Sequence, residues 1–237
     1  MFGLGTLINA AAIAIGGILG GLFGKLLQQR HQDSLSKACG ICVLFIGIAG
    51  AMEKMMSLCD GALVSGGSLL IIGCLAIGGL VGEILNIEDL IERFGNWLKV
   101  KTGNSGDNRF VEGFVTASLT VCIGAMAVVG AIEDGLLGDI SILVTKSVLD
   151  LIIVMVMTCS MGKGCAFSAI PVAIFQGSVT ALSWLIKPLM TESALANLSM
   201  VGSILIFCVG VNLVWGKKIR VANLLPSIVI AVVAALF

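Results

Sequence analysis

With 237 residues, 58% apolar and 12% charged, and a mean hydropathy of +1.10, the chain lies far from soluble domains, whose apolar and charged shares run near roughly 45–50% and 25%. Fourteen basic residues balance fourteen acidic ones, which removes the electrostatic basis for binding nucleic acid. Thirty-one glycines, three prolines and no tyrosine, in continuous apolar runs with no strict alternation, predict an all-α polytopic membrane helix bundle with glycine-rich packing in preference to a β-barrel.

A helix crossing a hydrocarbon core of about 30 Å needs roughly 20 apolar residues. About eight transmembrane helices are expected, near 3–24, 38–56, 65–83, 110–132, 140–161, 165–186, 197–215 and 222–237, within a single integral membrane domain over 1–237. The first stretch is too long, and lacks the basic leading segment, for a cleaved signal peptide. It carries Asn9 and the run Ala14–Gly21, AIGGILGG, whose glycines four apart clear one helix face for close approach. Packing within the chain is favoured over dimerisation there, although a homo-oligomer is kept open as a partner.

His31, the only histidine, falls in the first basic loop and reads as solvated. No His/carboxylate pattern suited to a metal appears, and neither a serine hydrolase nor an aspartyl protease finds its residues, so no cofactor, metal or catalytic site is expected. The pair Cys39 and Cys42 has redox spacing but sits in an apolar span, where cysteine serves as a small packing residue. Span three repeats the opening motif as Ala76–Glu83, AIGGLVGE, and Gly50–Glu53 (GAME) in span two matches Gly130–Glu133 (GAIE) in span four. That register sets Cys42 opposite Cys122 and suggests a duplicated hairpin; as a remote reading it permits a transmembrane thiol relay.

The connection 84–109 contains an amphipathic segment in which Ile87, Leu90, Ile91, Phe94 and Leu98 recur at helical spacing, with Glu88, Asp89, Glu92, Arg93 and Lys99 opposite. It is expected to lie on the cytoplasmic interface of the lipid bilayer as an anchor. After span four, Glu133, Asp134 and Asp139 are read as an outward loop with no basic neighbour, an acidic mouth for cations. In span five Lys146 and Asp150 stand one turn apart on one helix face. At about 1.5 Å per residue Asp150 lies about 15 Å deep, and intramembrane charges of this kind mark pathways or relays. Asn9, Gln176 in span six and Asn212 in span seven are the costly polar groups that could converge on that depth, while Pro171 and Pro226 could break their helices. Eleven of the basic residues fall in the odd-numbered loops, which sets both termini outside.

The stretches GTLINAAAIAIGGILGG, GFVTASLTVCIGAMAVVGAIEDGLLGD, KSVLD and RVANLLP resemble the YqgA/YdfK-type family of uncharacterised bacterial inner-membrane proteins. The resemblance implies a small multi-spanning protein of the plasma membrane and brings no catalytic residues with it. Two functions stay open: a transporter or channel-like permease for a small solute or ion, with Lys146, Asp150, Gln176, Asn212 and Asn9 in its pathway, or a non-transporting scaffold or partner subunit.

Overall fold

Inside hydrocarbon every backbone donor and acceptor must be met within the chain, and the apolar runs accordingly fold as helices. A computed structural model describes residues 3–59 and 61–236. Helix α1 (Leu4–Gly24) runs from one end of the bundle to the other, and α2 (Gln29–Met55) returns. A short antiparallel hairpin follows, β1 (Met56–Cys59) paired with β2 (Ala62–Ser65). Then come α3 (Ser68–Leu85), α4 (Ile87–Lys101), α5 (Phe110–Cys122), α6 (Ala125–Leu137), α7 (Ser141–Met161) and α8 (Ala169–Ala181), the last entered through a 3-10 turn at Lys163–Ser168. The short α9 (Ser183–Ile186), the long α10 (Glu192–Trp215) and α11 (Pro226–Ala234) complete the chain.

The fold is the expected all-α membrane bundle, with two corrections to its spans. Among the described residues six helices are long and apolar enough to cross a membrane, and a seventh crossing requires the α5–α6 pair, which is bent by 63°. The expected eighth span is short: Val221–Ala234 begins with a 3-10 turn and falls below the length of a crossing helix. The expected continuous span 110–132 is interrupted at Ile123 and Gly124. Gly124 has φ 149° and ψ 149°, a conformation open essentially to glycine alone. The prolines do not break helices at depth. Pro171 lies in the first turn of α8 and Pro226 opens α11, positions where a missing N–H costs nothing. The hairpin was not expected; its signal is Asp60-Gly61 between two short apolar runs, the dipeptide of a two-residue turn.

The glycine faces pack within the chain. A Cβ on Gly16 or Gly20 would strike the carbonyls of Leu151 and Met155, so α1 and α7 meet backbone to backbone. In the second copy of the motif, Gly78 and Gly82 likewise receive Ser227 and Asn223. The amphipathic helix exists as α4, yet part of its polar face is inward. Glu88 is buried, accepting from the Ala222 amide at 3.1 Å and pairing with Lys217 at 2.7 Å, while its own N–H donates to Asn223 Oδ1 at 2.8 Å.

Candidate functional site

The interruption of α5 determines the site. In an unbroken helix the Val121 carbonyl would accept from the amide four residues on; with the chain turned aside at Gly124 it is free for another donor. Lys146 supplies it, donating from Nζ to Val121 O at 2.9 Å. The same ammonium contacts both oxygens of Asp150, at 2.8 and 2.6 Å, in the one-turn geometry expected on α7. A cation thus sits at the carboxyl end of a half-helix, where the helix dipole favours it, with a carboxylate completing its shell. Lys146 and Asp150 are 7% and 3% exposed. At such burial a charge is tolerable only when paired and hydrogen-bonded.

Two of the three amides expected at this depth do converge. Asn9 on α1 donates to Asp150 Oδ2 at 3.0 Å and to Gln176 Oε1 at 3.2 Å; both amide residues are wholly buried. One turn toward the N-terminal end of α1, the hydroxyls of Thr6 and Thr180 meet at 3.3 Å. Among the described residues, Asn9 Oδ1 and Gln176 Nε2 have no hydrogen-bond partner, and leaving a buried polar atom unpaired costs about 1–3 kcal/mol. These two atoms, one acceptor and one donor, stay available beside a charged pair.

A polar cavity of about 440 Å³ opens at the end of the bundle that carries most of the basic residues. Glu88, Glu92, Glu112 and Lys217 line it, and it reaches Leu119 on α5, two residues before the Val121 carbonyl. Lys217 is the charge that organises its wall: partial burial opposes its protonated form, but the hydrogen bonds it donates to Glu88 and Glu92 outweigh that and push its pKa up. On another face of α5, an apolar cavity of about 520 Å³ also touches Leu119 and runs past Cys122 to Gly124.

Residues 4–236 match the family described as a protein of unknown function (DUF554). The chain belongs to that family. It is 32% identical over 226 residues to the uncharacterized membrane protein YdfK of Bacillus subtilis (strain 168), covering 95% of this chain and 93% of the relative. It is also 30% identical over 232 residues to the uncharacterized protein YqgA of Escherichia coli (strain K12), covering 96% and 94%. No solved structure matches. Together with the apolar helices, these relatives establish a membrane protein and leave its activity to be argued from the site.

The remaining predicted site residues lie elsewhere. Asn212 does not join Asp150: it accepts from the Lys218 and Ile219 amides at 2.9 and 3.0 Å and donates to Ile219 O at 2.7 Å. All of its main hydrogen-bonding directions therefore go to shaping the turn after α10, although it borders the polar cavity. The acidic loop is also corrected. Glu133 and Asp134 belong to α6, which continues to Leu137, and Asp134 is 1% exposed, accepting from the Gly5 amide at 2.9 Å. Only Asp139 lies in the expected exposed connection, and one of its oxygens takes both the amide and the hydroxyl of Ser141. No open acidic mouth forms from these three. His31 is exposed as expected, although on α2 and not in a loop. Cys42 is exposed on α2, whereas Cys122 lines the apolar cavity, and no disulfide joins the cysteines whose side chains are described. The Val121 carbonyl, central to the site, was beyond sequence reasoning because a backbone atom carries no residue signature.

Proposed function

We propose that the chain is a transporter or channel-like permease for a small solute or ion, with the Lys146–Asp150 pair as its gated site. The observation that carries this reading is the Lys146 ammonium held between Asp150 and the freed Val121 carbonyl at a broken helix. Discontinuous membrane helices are where transporters place their ion and substrate sites. A pair kept only for packing would be replaced by apolar residues at little or no cost. Here the break in α5–α6, the charge on α7 and the amides of α1 and α8 all serve one point.

In this mechanism Asp150 carries the ligand or proton, and Lys146 is a tethered cation that competes for the same oxygens. Protonating Asp150, or seating a ligand on it, removes the partner of the ammonium and leaves it only the Val121 carbonyl. The polar cavity gives access from the basic end, which we assign to the cytoplasm by the excess of Lys and Arg there. The N-terminus then faces outward across a bacterial inner membrane. Asn9 and Gln176 orient what binds.

Thermal unfolding of the purified full chain against inorganic cations, amino acids and organic acids, each added singly, identifies the ligand class. A compound at about 100 times its Kd stabilises by about 2.7 kcal/mol, and this response is expected to vanish in the Lys146→Met, Asp150→Leu double variant. Flux of that compound into vesicles is expected to be lost in Asp150→Asn; wild-type flux in that variant refutes the role of Asp150. A double variant that folds, assembles and keeps every ligand response returns the chain to the scaffold reading.

A further inference from the structure

Asp134 is a buried carboxylate that the site as described does not use. It is 1% exposed; Oδ2 accepts from the Gly5 amide at 2.9 Å, and Oδ1 has no partner among the described residues. Its position continues the polar contacts of the site toward the N-terminal end of α1. Thr6 follows Gly5 directly, and the Thr180 carbonyl lies against Gly135, the residue after Asp134. The Thr6–Thr180 hydroxyl contact comes next, and about one helical turn on from it along α1 and α8 stand Asn9 and Gln176, of which Asn9 reaches Asp150. Thr6, Thr180, Asn9 and Gln176 are each at most 5% exposed. Among the described residues, three of the seven buried side-chain atoms without a partner belong to this column: Asp134 Oδ1, Asn9 Oδ1 and Gln176 Nε2.

Resting on the transport reading of Asp150, we propose that Asp134 is a second proton-carrying carboxylate, joined to Asp150 by this column. The chemistry favours protons over a solute on this side. The residues of the column are buried and line neither of the two large cavities, whereas the solute-sized space lies at the opposite end of the site. A proton arriving from water forms an O–H bond on Asp134 Oδ1. It then moves through the threonine hydroxyls, each taking one proton as it gives up another, and through water held at Asn9 Oδ1 and Gln176 Nε2. It ends on Asp150, where it neutralises the carboxylate and releases Lys146. Every step is a proton passing between oxygens, and no electrons are exchanged.

The helices packed on α6 bring few charges to Asp134. α7 supplies Lys146 and Asp150, α10 supplies Glu192, α6 itself carries Glu133, and α1, α8 and α9 carry no charged residue. Lys187 lies beyond, lining a cavity with Glu133. Across α1 and α6 to α10, Lys146 is therefore the one basic side chain.

Infrared difference spectra of the full chain in lipid nanodiscs, taken between alkaline and acid pH, test this without any transported solute. Two protonated aspartic carboxyl bands are expected, both displaced by ¹³C-labelling of aspartate. Asp134→Asn, which keeps an acceptor for the Gly5 amide, removes one band. Asp150→Asn removes the other and shifts the first, and Thr6→Val with Thr180→Val keeps both bands but abolishes that shift. Should Asp134→Asn fail to fold, the labelled wild type and Asp150→Asn still report whether a second buried aspartate titrates. A single titrating band, or an Asp134 band indifferent to Asp150→Asn, overturns the column. Either result leaves the role of Asp150 standing, since that role is tested by flux.

Discussion

Helix α2 and the α5–α6 pair are aligned by the matching GAME and GAIE motifs, yet one is a 27-residue unbroken helix and the other bends by 63°. In that register Leu44 of α2 stands where Gly124 interrupts the second copy. The unbroken copy spends its mid-helix carbonyls on its own amides and packs closely on α10 through Gly40 and Gly47. The broken one exposes a carbonyl at membrane depth, and the charged pair of the protein assembles on it. A single backbone conformation, open to glycine and closed to leucine, thus separates a packing element from a binding element.

The largest effect is expected from unbalancing the pair that the break supports. Lys146→Met or Asp150→Leu alone should destabilise by about 3–5 kcal/mol, whereas the two together should recover most of that loss. Chemical unfolding in detergent measures this, and a double variant no better than either single one would disprove the pairing as the reason. Next, Gly124→Ala forces a side chain into a backbone region it avoids and should cost of order 1–3 kcal/mol, with loss of the Lys146–Val121 contact. Its mirror, Leu44→Gly, removes packing and helix propensity, at about 1 kcal/mol for the propensity alone, and should leave α2 straight. Spin labels flanking each position read the bend; a bent α2 in the second variant would show that glycine alone makes the break. Gln176→Ala should cost only about 0.5–1.5 kcal/mol, as it removes one neutral hydrogen bond, and its thermal shift should be smaller than that of either charge variant.

The smallest effect is at Asp139. Hydrogen bonds from the Ser141 side chain and amide hold its carboxyl below the usual range. Its stabilising contribution is therefore present above the unfolded value of about 3.9 and is lost as pH falls through the lower folded value. The melting difference between wild type and Asp139→Ala should be present near neutrality and vanish in strong acid. A difference that grows on acidification would have the wrong sign.

Much of this was legible in the chain because hydrocarbon enforces it. The apolar runs, the amphipathic α4 and the one-turn spacing of Lys146 and Asp150 each follow from period and length. Asn9 and Gln176 could be nominated because an amide at depth is costly wherever it points. Asn212 was misplaced by the same logic: depth along a helix says nothing about rotation, and its amide turns to the loop after α10. Asp134 was missed as a buried group because helix ends in apolar sequence are weakly marked, and α6 carries it inside. Gly124 was invisible among thirty-one glycines, since nothing in residue type distinguishes a glycine that packs from one that breaks.

The bonds of Glu88 bear on how the polar cavity can change shape. They clamp α4 to the chain following α10, so that two of its walls form one unit, and peeling α4 away would strand a carboxylate in a place built to hold it. The third wall, α5, is bounded by Gly124 at one end and by the 102–109 connection, with its positive-φ Gly103, at the other. It is the wall with a pivot at each end, and tilting it would vary the opening and the position of the Val121 carbonyl in a single stroke.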